Sequence, residues 1–188
     1  MAFVMGAGCF QIAAAQTRWV SLKGPYTGDI TLITVDRQGN CYAASQFTGV
    51  YRSTNGGTNW NAVNFGLDWS NISTLIADSS GSLYAGSFWA GLYKSTNNGT
   101  TWMKTSLLSG AQTAAVISGG RLCVGGADTV SVSTDGGETW SSSIVLTGPA
   151  SPNVLSVAED ALGNIYATLG VVVHRWENSI WRRGLCIV

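Results

Sequence analysis

The sequence predicts an all-β fold in which one four-stranded antiparallel unit is repeated about four times. Three observations predict it. First, the octapeptide STNGGTNW at 53–60 recurs as STNNGTTW at 95–102 and as STDGGETW at 133–140. Second, five of the eight tryptophans share one period: the steps Trp19–Trp60, Trp60–Trp102, Trp102–Trp140 and Trp140–Trp181 are 41, 42, 38 and 41 residues. A fixed internal period of this length marks a repeat architecture. Third, no stretch sustains helical periodicity, whereas turn formers and aromatics are abundant and charged residues make up only 11%.

Residues 1–15, MAFVMGAGCFQIAAA, carry no charge and end in Ala13-Ala14-Ala15. Apolar character followed by small residues is the pattern of a secretory signal and its cleavage site. The basic leading region is missing, so we expect a truncated signal peptide at 1–15. The remainder, 16–188, would then be secreted or periplasmic. Cys9 lacks the leucine-type residue three places earlier that a lipoprotein anchor needs, and no other segment is long and apolar enough to span a bilayer.

Residues 17–22, TRWVSL, read as a lone strand. Four units follow, designated blade A (28–65), blade B (70–107), blade C (111–146) and blade D (153–188). Each opens with an apolar run, a turn and a second run, as in ITLITVDRQGNCYAAS and ISTLIADSSGSLYAGS. Asp36, Asp78 and Asp160 each stand three residues before a glycine (Gly39, Gly81, Gly163), a tight-hairpin signal. A third run such as GVYRS or GLYKS precedes the octapeptide, and a fourth begins at its tryptophan. Four short strands in about 40 residues are the signature of a β-propeller blade.

The octapeptide itself is a turn. A short Asx side chain bonds backbone N–H groups two residues on, glycine supplies positive φ, and the indole packs over the hairpin. Its pattern, S-x-[DN]-x-G-x-x-W, is met by Ser53, Asn55, Gly57 and Trp60, by Ser95, Asn97, Gly99 and Trp102, and by Ser133, Asp135, Gly137 and Trp140. It resembles the Asp-box, or BNR repeat, of the sialidase-like, sortilin-like and xyloglucanase-like propellers. The fourth copy, HRWENSIW, keeps only Trp181, and His174 takes its serine position as a turn residue. The resemblance implies that the box is a folding device between a blade's third and fourth strands. It also implies a ring of six or seven blades. Four blades would therefore form an open arc, the N-terminal part of a longer propeller, with exposed blade faces that favour self-association or await further blades; the rival is a small closed four-bladed ring.

Net charge is zero, with ten Lys+Arg against ten Asp+Glu. No basic stripe exists to neutralise phosphates, which excludes nucleic acid as the main partner. No cysteine pair has metal-ligand spacing, and we expect neither a metal nor another cofactor. Cys41 and Cys123 would face opposite ways in different blades as small core fillers, without a disulfide. The arginines Arg18, Arg37, Arg52, Arg121, Arg175, Arg182 and Arg183 do not converge as a sialidase site requires. In a propeller the strand 1–2 and 3–4 turns share one face, and the 2–3 turns and blade-to-blade linkers share the other. Asp29, Asp68 and Asp128 fall on the second face. Asp29 and Asp68 open adjacent blades and form the one carboxylate pair suited to glycoside hydrolysis. No catalytic residue is otherwise expected. Tyr26, Phe47, Trp69 and Trp89 lie on that same face, in loops and off the tryptophan period, and form a candidate aromatic platform for a glycan or a protein ligand. The leading expectation is an exported non-catalytic binding scaffold. The alternative is the N-terminal part of a sialidase-like or xyloglucanase-like glycoside hydrolase. A third possibility is an assembly factor similar to the photosystem-associated propellers.

Overall fold

The computed structural model describes residues 21–22, 24–25, 28–68, 71–107, 110–117, 120–127, 129–143, 153–169, 172–177 and 180–184. The expected signal peptide, residues 17–20 of the lone strand, Cys9 and Cys186 lie outside them. Sixteen strands form four sheets. Blade A holds β1 (Ile30–Val35), β2 (Cys41–Ser45), β3 (Gly49–Ser53) and β4 (Asn61–Ala62). Blade B holds β5 (Ile72–Ala77), β6 (Leu83–Ser87), β7 (Gly91–Ser95) and β8 (Met103–Lys104). Blade C holds β9 (Thr113–Ile117), β10 (Arg121–Gly125), β11 (Val130–Ser133) and β12 (Ser141–Ser143). Blade D holds β13 (Val154–Glu159), β14 (Ile165–Leu169), β15 (Val172–Glu177) and β16 (Ile180–Gly184). Each sheet is an antiparallel meander in sequence order, and first strands neighbour one another from β1 to β5 to β9 to β13. The chain is a β-propeller of four-stranded blades.

Two side-chain locks close the turns of a blade. At the strand 1–2 turn of blade A, Asp36 Oδ1 accepts the N–H groups of Gln38 and Asn40, both at 2.9 Å, and Oδ2 accepts the Tyr42 hydroxyl at 3.0 Å. Asp78 with Tyr84 and Asp160 with Tyr166 repeat the arrangement. Burial alone would raise the Asp36 carboxyl, but hydrogen bonds from Asn40, Tyr42 and Gln38 outweigh it and hold the group below its ordinary value. The fixed anion in turn pushes Tyr42, already raised by burial, up to about 12. Blade C has no such aspartate, and Cys123 stands where the tyrosine would be. There Arg121 pairs instead with Glu159 of blade D, tying the two blades at the rim.

The second lock is the octapeptide. Ser95 Oγ, buried, accepts the Gly99 N–H at 2.9 Å and donates to Asn97 Oδ1 at 2.9 Å. Asn97 Oδ1 also accepts the Thr101 N–H at 2.9 Å. Ser53 with Asn55 and Ser133 with Asp135 do the same. Gly57, Gly99 and Gly137 have φ of 85°, 79° and 93°, where a side chain would be strained. In blade D the turn is different. Glu177 pairs with Ile180, so only two residues separate β15 from β16, against seven between β3 and β4. The loss of Ser, Asx and Gly there has shortened the loop to a hairpin. His174 is consequently not a turn residue: it pairs mid-strand with Ala167 and Arg183, and Trp176 holds the register position of the box serines.

The core lies between blades. Tyr42, Ala44 and Val50 of blade A pack on Ile72, Leu75, Leu83, Ala85, Tyr93 and Trp102 of blade B. Tyr84 and Leu92 of blade B pack on Leu122 and Val124 of blade C. Cys123 and Val130 of blade C pack on Val154, Val157, Ile165 and Ala167 of blade D. The register shows what lies at the ends of the arc. Ile33 pairs with Ala43 as Leu75 pairs with Ala85 and Val157 with Ala167, yet Ile33 is 70% exposed while Leu75 and Val157 are 5% and 7% exposed. Val173 of blade D is 38% exposed, where its counterparts Val50 and Leu92 are fully buried. The four blades thus form an arc with an uncovered face at each end. Leu22 leans on Gly57 as Val63 leans on Gly99 and Thr105 on Gly137. All three follow a tryptophan of the period by three residues.

Replacing Ser95 with alanine strands the Gly99 N–H inside the protein. It should cost about 1–3 kcal/mol in denaturant unfolding, against a change within about 0.5 kcal/mol for exposed Ser79→Ala.

Candidate functional site

The meander puts the strand 1–2 and 3–4 turns, with the boxes of blades A to C and the Asp–Tyr locks of blades A, B and D, at one end of the blades and the strand 2–3 turns at the other. In blade A that turn is Gln46-Phe47-Thr48 and in blade B it is Phe88-Trp89-Ala90, each closed by a glycine at positive φ (Gly49 at 83°, Gly91 at 88°). Phe47 and Trp89 therefore occupy the same repeat position, and each is 72% exposed. Phe88 stands edge-on to the Trp89 indole with centroids 4.5 Å apart. Between the two turns runs an open groove of about 500 Å³, over the starts of β1 and β5. Leu32 and Ile72 form its apolar part, and Thr31, Gln46, Asn71 and Ser73 supply hydroxyl and amide groups. The described lining holds no charged side chain.

Close backbone approach sets the blade B turn. A Cβ on Gly110 would lie 1.8 Å from the Phe88 carbonyl oxygen, so only glycine lets the linker into blade C pass there. The Ala111 N–H donates to the Ser87 carbonyl at 3.1 Å, and Ser73 Oγ donates to the Ala111 carbonyl. The turn carrying Phe88 and Trp89 is thus held from the neighbouring blade.

Of the residues expected on this face, Trp89 lines the groove, while Phe47 stands exposed on the blade A turn next to the lining residue Gln46. Tyr26, Trp69 and Asp128 lie outside the described residues. Asp29 is exposed, and Asp68 accepts the Tyr93 hydroxyl at 3.4 Å. Neither carboxylate lines the groove. Phe88, Gln46 and Asn71 were not singled out from the sequence; the adjacent aromatics in SFWAG were the available signal for the first. Trp60, Trp102 and Trp140 lie at the opposite end with the boxes. Trp60 and Trp140 donate their indole N–H to their own turns at Gly57 and Gly137, but Trp102 donates to the Val63 carbonyl of blade A at 2.7 Å. Its ring is buried between blades rather than over its own hairpin, because the chain after β4 runs beside it and the Phe65 carbonyl accepts its backbone N–H. The Trp181 side chain lies outside the described residues.

A smaller cleft of about 210 Å³ on the box face, between blades B and C, is lined by Lys94, Met103, Lys104 and Glu138 among others, and Lys94 and Glu138 pair across it at 3.7 Å. Hydrogen bonds from Thr139 hold the Asp135 carboxyl well below its ordinary value, which marks it as a turn anchor rather than a proton-transfer group. Cys41 is half-buried on the open face of blade A and Cys123 is buried between blades C and D; both are free thiols, and burial pushes Cys123 up to about 12. Among the described residues no cluster of three His, Cys, Asp or Glu side chains has metal-site geometry, and no helix is long and apolar enough to cross a membrane.

No protein-family model matches the chain. No curated protein matches it by sequence either. Solved structures do match by fold. The GH74 xyloglucanase from Xanthomonas campestris superposes with a TM-score of 0.68 at 17% identity, covering 82% of this chain and 29% of that one. The extracellular domain of a one-component system of B. thetaiotaomicron gives 0.72 at 12% identity, covering 88% of this chain and 24% of that one. YCF48 from Cyanidioschyzon merolae gives 0.62 at 14% identity, covering 83% of this chain and 56% of that one. These likenesses establish the propeller fold. The chain spans about a quarter of the length of the first two structures.

Gly110→Ala should push the Phe88 carbonyl aside and lose about 1–3 kcal/mol through overpacking, with a changed near-ultraviolet circular dichroism signal from the Phe88–Trp89 pair. Gly24→Ala, where an added Cβ meets open space, should leave both unchanged.

Proposed function

We propose that this chain is the arc of an exported, non-catalytic propeller that binds a neutral carbohydrate on the loop face of blades A and B. The observation that carries the reading is Trp89, a highly exposed ring lining a groove of amides, hydroxyls and no described charge, with Phe47 equally exposed at the equivalent turn of blade A. Large aromatic surface left in water is costly unless something covers it, and exposed rings on loops over a rigid scaffold are a common binding device. Flat rings with hydroxyl and amide neighbours suit the apolar face and hydroxyl rim of a sugar. The xyloglucanases and the extracellular domains among the structural neighbours support a carbohydrate ligand and an exported location. The pattern S-x-[DN]-x-G-x-x-W supports membership of the Asp-box propellers, and the uncovered faces at Ile33 and Val173 support a complete ring of six or seven blades. On that reading this arc alone should self-associate through those faces.

The second reading is the N-terminal part of a glycoside hydrolase. It is favoured by the GH74 structures among the neighbours, with Asp29 and Asp68 as the carboxylates in question. Asp68 already serves Tyr93, and the groove holds neither group, so catalysis would need acids from outside these blades. A peptide ligand has one precedent, the neighbour solved as YCF48 bound to D1 peptide.

Pull-down on insoluble cellulose, xylan and mannan, with affinity electrophoresis in soluble xyloglucan, tests the proposal. We expect retention by at least one neutral polysaccharide, weakened about tenfold or more by Trp89→Ala, as loss of a stacking aromatic worth about 1.4 kcal/mol would give. Equal binding by parent and variant, or no retention at all, would sink it. Release of reducing sugar that Asp29→Asn abolishes would install the hydrolase reading instead.

A further inference from the structure

The three interfaces between blades repeat one arrangement, and the uncovered faces of blades A and D are its two unmatched halves. On the receiving side, Leu83, Leu122 and Ile165 hold one register position and are 0%, 1% and 4% exposed against the blade before them. Cys41 holds that position in blade A and is only half-buried, and Ile33 on the same blade stands in water. On the other side, Tyr42 with Val50 and Tyr84 with Leu92 are buried against the blade that follows. Their counterparts in blade D, Tyr166 and Val173, are part-exposed.

A polar signal shows what kind of blade belongs on blade D. The lock tyrosine pairs across the strands with a cation in three blades: Tyr42 with Arg52, Tyr84 with Lys94 and Tyr166 with Arg175. The first two cations reach the box of the following blade. Arg52 Nη1 donates to the Asn98 carbonyl at 2.8 Å, and Lys94 pairs with Glu138 at 3.7 Å. Blade C departs from this on both counts: Cys123 pairs with Val132, and the blade that follows carries no box. Arg175 therefore fits a box-bearing blade. Blade A carries a box, with Gly56 at the place of Asn98, and its face is the one left uncovered.

We propose that blade D of one copy docks on blade A of a second copy, in the register of the interfaces within the chain. The contact sets Tyr166 and Val173 over Ile33 and Cys41 of the second copy and brings Arg175 to its Gly56 carbonyl. The inference rests on the open-arc reading above and adds which face meets which. Gly184 pairs with Val173 as the Val63 N–H bonds to the Val50 carbonyl, so Gly184 arrives beside Gly57, where Leu22 leans in a single copy. Leu22 is 56% exposed and gives way at little cost. The contact is head-to-tail, so each added copy presents a fresh face and assembly continues until a ring closes.

Sedimentation velocity of the whole chain over a range of concentrations tests this, with Ile33→Asp to spoil the blade A face and Val173→Asp to spoil the blade D face. The parent should assemble beyond a monomer, and each variant alone should stay monomeric at concentrations where the parent assembles. An equimolar mixture of the two variants retains one good face of each kind and should form a dimer that grows no further. Arg175→Ala should weaken assembly by about tenfold, as loss of a charge-assisted hydrogen bond gives, and Arg175→Lys, which copies blade B, should keep most of it. Alkylation of Cys41, followed by mass spectrometry, should slow as the parent assembles. A mixture that stays monomeric, a Val173→Asp chain that still pairs, or a Cys41 equally reactive at every concentration would overturn the head-to-tail register while leaving self-association in place. A parent that is monomeric throughout would remove both. Circular dichroism of each variant should match the parent, because Ile33, Val173 and Arg175 are exposed in a single copy.

Discussion

A single four-stranded sheet, with an outer strand of only two or three residues in blades A to C, cannot bury its own apolar surface; it must borrow a face from its neighbour. That constraint organises this molecule. The largest fully buried side chains, Tyr42, Tyr84, Tyr93, Leu83, Leu92 and Ile72, all sit between sheets rather than within one. Fully burying one aliphatic side chain of this kind is worth about 1.5–3 kcal/mol, and each interface collects several. Stability therefore accumulates interface by interface, as in other repeat architectures. The same constraint makes the ends of the arc costly: Ile30, Ile33 and Val35 present to water what Ile72 and Leu75 present to blade A.

Because neighbours supply the burial, the turns must hold each blade's edges in register with little help from a core. The Asp–Tyr lock and the Ser–Asx–Gly box do this at one end only. They use local, internally satisfied hydrogen bonds, which commit the lock carboxylates and box serines to holding the turns. The opposite end is spared that duty. Its turns are fixed by glycine conformation and by close backbone approach, as at Gly110 beside Phe88, and their tip residues are released from packing. Trp102 and Trp89 show the contrast. The first is buried and bonded across an interface, and the second stands in water on a turn that neighbouring backbone holds still.

Much of this was legible in the residues because the turns are local. Ser, Asx and Gly at fixed offsets dictate the box wherever they occur, and the strands follow from the spaces between. The Asp–Gly half of the second lock was equally visible, but its tyrosine partner was not, since Tyr42 closes the turn from six residues away by way of the strand pairing. His174 was misplaced for a related reason: aligning HRWENSIW by its tryptophan assumes a loop of constant length, and the loop had shrunk once its anchoring residues were gone. The indole of Trp102 was assigned to its own hairpin because the chain that captures it, Val63 to Phe65, belongs to another blade. The groove was hardest to see. Its walls come from four separate segments that only inter-blade packing brings together, whereas the exposed Trp89 within it could be found by subtracting the tryptophans that the repeat requires.

Hydrogen exchange at the tryptophan indoles, followed by nuclear magnetic resonance on the free protein, tests most directly the division between scaffold aromatics at the box end and presented aromatics at the other. The Trp102 indole N–H, buried and bonded to the Val63 carbonyl, should exchange far more slowly than that of Trp89, with Trp60 and Trp140 between them. A Trp89 indole as protected as Trp102, or a Trp102 indole exchanging at the rate of an open side chain, would contradict the account.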